Sequence, residues 1–158
     1  MTYKINFLKS GEKKKLIVEL EKVYGITKIP HLLLETGRKK IRAFSGHLSK
    51  EEIQQLSDLV NVEIVGTYLI NKRDDDLRIS FDALPIMQEQ ITKRILEIDK
   101  EQFERWMRGY NLPVEKIPRG IVILKFKDEL VGIGKSNEEK IFNYVPKERK
   151  LKTPLPTN

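Results

Sequence analysis

Residues 120–152 read GIVILKFKDELVGIGKSNEEKIFNYVPKERKLK, and this stretch decides the fold of the C-terminal part of the chain. Three runs rich in β-branched and aromatic residues, 120–125, 130–135 and 140–145, are separated by short polar turns and read as three strands. The second run carries Gly132-Ile133-Gly134-Lys135-Ser136, which has the look of the end of a phosphate-binding loop. A nucleotide-binding loop requires Gly-x-x-x-x-Gly-Lys-Ser between a strand and a helix, and the place of its first glycine is taken here by Glu129. A polar turn and another strand follow where the helix should begin, which argues against a phosphate nest and nucleotide hydrolysis. The two glycines are then part of a strand, where missing side chains let a ligand or a neighbouring loop approach the backbone.

Working outward, the third run closes on a basic tail. Residues 146–152 (PKERKLK) supply four cations beside Phe142 and Tyr144. Lys and Arg neutralise phosphates with release of counterions, and aromatics stack on unpaired bases. Upstream, Asp99 caps an amphipathic helix, KEQFERWMRG, whose Phe103, Trp106 and Met107 form the expected buried face and whose end is Gly109. Trp106 shares helical spacing with Phe103, so it reads as core ahead of a base platform. A short strand at 95–98 precedes this helix, and a rigid loop with Pro113 and Pro118 leads from it to the three strands. Arg105, Arg108 and Arg119 are expected to share the side of the tail.

The N-terminal region reads α-β-β-α-β-β. Leu16, Ile17, Leu20 and Val23 recur at helical spacing and Gly25 is placed to end that helix. Residues 31–35 and 39–44 form a hairpin across Thr36-Gly37-Arg38. Ser49 and Glu52 make a capping box for a helix whose apolar face is Ile53, Leu56 and Val60. Strands at 62–71 and 77–81 flank the polar turn 72–76, and Gly66 suggests a bulge or a close backbone approach. The Asp74-Asp75-Asp76 run is a metal-ligand candidate, but flanking Lys72, Arg73 and Arg78 and the preference of Asp for turns favour a turn. His31 and His47 sit in no ligand or triad spacing. The expected organisation is α+β: residues 1–90 as a sandwich-like α/β domain that contacts a partner or sets orientation, and 91–158 as a second domain with the tail.

Bulk properties agree with an anionic partner. The net charge is +7 and the charged fraction 34%, with nucleic acid the favoured partner class and a lysine-rich background the plain alternative. Residues 1–90 hold 15 Lys and Arg against 13 Asp and Glu, whereas 91–158 hold 15 against 10, so the footprint falls in the C-terminal part. The absence of cysteine excludes disulfides, cysteine zinc sites and thiol catalysis. It suits a reducing compartment or a hot one. With no apolar run near the roughly 18 residues of a membrane span and no leader-like N-terminus, the expectation is a soluble cytoplasmic protein.

Taken in order, RWMRG at 105–109, the proline loop, GIVILK at 120–125, LVGIGK at 130–135 and NYVPKER at 143–149 resemble a PUA domain over about residues 93–152. In particular they resemble the version that closes Sun/Fmu-type rRNA 5-methylcytosine methyltransferases, where an "RG" helix end, a "plGwGK" strand and a "KNyyPKglR" ending recur in that order. Residues 66–87 (GTYLINKRDDDLRISFDALPIM) are similar to the segment before the PUA domain in small two-domain ribosome-biogenesis factors, while residues 1–60 match neither family. The resemblance implies a mixed β-barrel with flanking helices that binds structured RNA. Its RNA face would comprise Arg108, Gly109, Gly132, Gly134, Lys135, Asn143, Tyr144, Lys147 and Arg149, to which the charge pattern adds Arg119 and Lys150. Ile133 stands where the family has an aromatic between the glycines, which removes a stacking surface there.

The expected function is therefore non-catalytic binding of rRNA or tRNA, in ribosome biogenesis or as an accessory to RNA modification. No catalytic residue, cofactor or metal is expected. The partners would be RNA and a methyltransferase or ribosome-assembly protein. A protein-interaction module and a stand-alone targeting subunit of an RNA 5-methylcytosine methyltransferase are the alternatives. The methyltransferase reaction itself needs a cysteine nucleophile and a glycine-rich cofactor loop, and neither is present.

Overall fold

The computed structural model describes residues 5–37, 39–60, 62, 65–72 and 77–152. The Asp74–Asp76 run and Arg38 of the first hairpin turn lie outside these residues. The chain divides into two compact units, Met1–Ala83 and Leu84–Asn158. The sequence places the division at 90/91. The segment in between carries a short helix, α3 (Leu84–Met87), that packs on a strand of the second unit.

The first unit is an antiparallel five-stranded sheet with helices. Its strands β1 (Asn6–Phe7), β2 (Leu32–Thr36), β3 (Lys40–Phe44), β4 (Thr67–Asn71) and β5 (Arg78–Ile79) lie in sequence order. Helix α1 (Ser10–Tyr24) buries Leu16, Leu20 and Tyr24 and stops at Gly25, whose φ of 87° is the left-handed conformation that glycine adopts without strain. The Tyr24 hydroxyl donates to the Leu77 carbonyl, which gives this buried phenol a partner. Helix α2 (Lys50–Leu59) has the capping box: the Ser49 hydroxyl accepts from Glu52 N, and the Glu52 carboxylate accepts from Ser49 N.

Successive residues of a strand point to opposite faces, and both Leu33 and Leu34 of β2 are buried, so the sheet is covered on both sides. Leu34 clusters with Ile5 and Ile53, the single buried residue of α2. The expectation of a three-residue apolar face on that helix is corrected: Leu56 and Val60 are 43% and 52% exposed. Gly66 precedes β4 with φ 76°, where an added Cβ would sit 2.4 Å from the Ala43 carbonyl oxygen. The β3–β4 register shifts further along, between Ile41 and Arg42, where Leu69 is the extra residue between Tyr68 and Ile70. Of the two features expected of this glycine, the close approach occurs at it and the bulge does not.

The second unit is a mixed five-stranded sheet curled into a half-barrel. Its strands are β6 (Ile95–Glu97), β7 (Leu112–Pro113), β8 (Gly120–Phe126), β9 (Glu129–Ser136) and β10 (Lys140–Asn143), in the order β6-β8-β9-β10-β7. β6 runs parallel to β8 and every other pair is antiparallel. A parallel neighbour needs a long crossover, which here contains helix α4 (Lys100–Met107) and the two-residue β7. Pro113 lacks an N–H, and β7 accordingly takes an edge position. Asp99 and Gln102 form a capping box for α4, the helix expected from Asp99.

Candidate nucleic-acid interface

Trp106 organises the second unit. It is fully buried, and its indole N–H donates to the Val131 carbonyl of β9 at 3.3 Å. One turn earlier Phe103 stacks on Phe126 of β8 with ring centroids 4.3 Å apart, so α4 docks on the sheet through two aromatics. The indole lies over the glycine face of β9. A Cβ at Gly132 would come 2.2 Å from Trp106 Nε1, and one at Gly134 would meet Ile141 Cγ2 at 2.4 Å and Trp106 Cη2 at 2.8 Å. The space that both glycines leave is therefore filled by a side chain of the same unit. Gly132 and Gly134 are buried, and the space beside them seats Trp106.

The end of α4, the end of β10 and the basic tail are tied together by Asn143. Its side-chain amide donates to the carbonyls of Trp106 at 2.7 Å and Tyr110 at 3.0 Å, while its oxygen accepts from Val145 N at 2.9 Å. Its backbone N–H donates to Asn111 Oδ1 at 2.9 Å. The tail then folds back: Leu151 N donates to the Met107 carbonyl at 2.7 Å. The Lys150 stem lies over Gly109, where a Cβ would sit 2.8 Å from its Cδ, and Gly109 has φ 94°. The positive φ explains a glycine at the helix end, since the flexible Lys150 side chain could move aside for a Cβ.

These contacts gather Arg108, Gly109, Asn143, Tyr144, Lys147, Arg149 and Lys150 into one region of the surface. Arg108 donates to the Glu104 carbonyl at 2.8 Å, and Lys147 and Arg149 stand exposed on a 3-10 turn, Lys147–Arg149. Aromatics interleave with the cations. Tyr110, Phe142 and Tyr144 are 48%, 36% and 37% exposed; Arg105 lies 5.0 Å from the Tyr110 ring and Lys140 5.1 Å from that of Phe142. Tyr110 and its pairing with Arg105 are additions that the sequence reading does not contain. Lys135 is half-buried on β9, directly opposite Phe142.

Arg119 is placed elsewhere, correcting its expected position on the tail side. It immediately precedes β8, whose Gly120 is opposite Ser136, and it pairs with Glu138 of the β9–β10 turn at 3.6 Å. That is the opposite end of β10 from Asn143. Among the described residues no group of three His, Cys, Asp or Glu side chains is arranged to hold a metal, and no helix is long and apolar enough to cross a membrane.

The second unit is thus a curled mixed half-barrel with a parallel first strand, one docked helix and a surface bearing cations and aromatics. Residues 93–151 match the family described as the methyltransferase RsmF PUA domain, and this part of the chain is a PUA domain of that kind. Such a domain suggests RNA as the ligand. Residues 1–92 lie outside the match, and comparison with curated proteins gives none.

Proposed function

We propose that this protein is a non-catalytic RNA-binding protein that engages rRNA or tRNA through its C-terminal unit, in ribosome biogenesis or beside an RNA-modification enzyme. The observation that carries the reading is the PUA match together with what its surface offers: exposed Lys147 and Arg149, and exposed Tyr110 and Phe142 with Arg105 and Lys140 over their rings. Cations on an ordered turn neutralise backbone phosphates, and neighbouring aromatic faces stack on unpaired bases. The chain lacks the cysteine that carbon-5 methylation of cytosine uses as nucleophile, which supports a binding role and an enzyme partner. Exposed Leu56, Leu59 and Val60 at α2 of the first unit support a protein-contacting role for that unit.

The test is the salt dependence of RNA affinity. Replacing Lys135, Lys147 and Arg149 together by Gln is expected to weaken binding to a structured rRNA or tRNA fragment. The slope of log affinity against log salt is expected to become shallower by roughly one unit for each phosphate that is no longer neutralised. RNA affinity that is absent in the wild type, or that is unchanged and salt-insensitive in the triple variant, overturns the proposal. Crosslinking and sequencing of RNA bound in cells identifies the target.

A further inference from the structure

A second feature of the C-terminal unit lies away from the tail. β6 and β8 run parallel, with Ile95 level with Ile123, and at their starting ends an open cleft of about 360 Å³ is lined by Arg94, Ile95, Leu96, Ile117, Pro118, Arg119, Ile121 and Val122. That volume is at the low end of the roughly 300–1,000 Å³ of small-ligand sites. Ile121 and Val122 are buried, Ile95, Leu96 and Ile117 are half-buried, and the two arginines are exposed. An apolar interior with cations at its mouth suits a ligand whose body is flat and poorly hydrated and whose attachments are anionic.

Both arginines are held in place by the backbone. Arg94 has φ 60°, a left-handed conformation uncommon for a long side chain, and its carbonyl accepts from Ile123 N at 2.8 Å. Arg119 sits between Pro118 and the first residue of β8, and its pairing with Glu138 is between side chains 73% and 61% exposed. Such a solvent-exposed pair is weak and yields readily to a phosphate. An adjoining cleft shares Leu96 and Ile117 but is lined by Glu97, Gln102 and Glu115, so the cationic path does not continue in that direction. The charge pattern fits a chain that inserts one group and turns away. It does not fit one that runs straight across.

We propose that this cleft takes one unstacked base of the RNA, with Arg94 and Arg119 holding the phosphates attached to it. The inference rests on the RNA-binding reading and adds a second contact point to it, separate from the tail. Bases are recognised out of the stack on apolar, aromatic and guanidinium surfaces, and Ile117, Pro118 and the arginines supply the last and the first of these.

The test uses the full chain with labelled Ile, Leu and Val methyl groups. It is titrated with each nucleoside 5′-monophosphate alone and then with a short mixed-sequence single-stranded RNA. The expected result is methyl shifts concentrated at Ile95, Leu96, Ile117, Ile121 and Val122, and their loss in Ile117→Trp, which fills the cleft. Arg94→Asn with Arg119→Gln, which keeps the cleft open and the left-handed backbone tolerable, is expected to flatten the salt slope for RNA by about two units. RNA binding with shifts only near Tyr144, Leu151 and the tail overturns the cleft and leaves the RNA-binding reading standing. So does an unchanged slope in the double arginine variant. Absence of any RNA binding in the wild type overturns both.

Discussion

Substituting Gly132 by Ala tests the view that the glycine strand exists to seat Trp106. The added methyl would lie 2.2 Å from Trp106 Nε1 and 2.9 Å from Cε2, whereas ordinary contact begins near 3.4 Å. The indole would have to retreat by about 1 Å, and it is fully buried with no open side to enter. Overpacking of this kind costs roughly 1–3 kcal/mol. The retreat also breaks the 3.3 Å bond from Nε1 to the Val131 carbonyl, adding about 1 kcal/mol. A total loss of roughly 2–4 kcal/mol is a large part of the 5–15 kcal/mol that holds a typical domain. Trp106 is the only tryptophan in the chain, so its fluorescence in a urea titration reports the unfolding of the C-terminal unit alone. The specific control is Gly132→Ala in a Trp106→Phe background, followed by circular dichroism. Phe has no atom at Nε1, so the two changes should be coupled by about 1 kcal/mol or more. A Gly132→Ala loss below about 0.5 kcal/mol, or one of equal size in both backgrounds, refutes the reasoning.

Other substitutions probe the remaining devices. Asn143→Ala removes two donated bonds and one accepted bond and is expected to cost about 2–3 kcal/mol in a urea titration. Asn143→Asp puts a carboxylate against the Trp106 and Tyr110 carbonyls and should cost at least as much. Ser49→Ala removes the hydroxyl half of the α2 capping box and is expected to cost about 1 kcal/mol, read as a lower urea midpoint by circular dichroism.

Features set by neighbours in sequence are legible without the structure. Ser49 and Glu52 are three residues apart, Gly25 ends the helical run before it, and the three strands of 120–145 announce themselves by β-branched content. β1 and β7 are not legible, because two residues carry no periodicity; Leu112 is buried by its place opposite Ile141, not by any pattern of its own. The α2 face fails for a related reason. Leu56 and Val60 recur at the spacing of a buried stripe, but whether a partner surface covers them is a tertiary matter. At the site, the sequence shows two glycines on one face of a strand without showing what fills the space above them. The occupant, Trp106, arrives from a helix before the proline loop. A lone tryptophan upstream of a Gly-x-Gly strand is the signal available. Asn143 is marked by resemblance alone, and its bonds to carbonyls more than thirty residues away show why an amide stands there.

The bond from Leu151 to the Met107 carbonyl has a consequence for binding thermodynamics. Charged tails are commonly loose in the free protein, and ordering each residue costs roughly 1–2 kcal/mol at the moment of capture. Here the tail is already fastened to the helix end through that bond, with the Lys150 stem lying on Gly109. On the proposed reading, Lys147 and Arg149 meet an RNA from a turn whose backbone is already placed, and that part of the ordering cost falls on folding instead of on recognition. Cutting the chain after Glu148 would then weaken RNA capture by more than the missing charges explain.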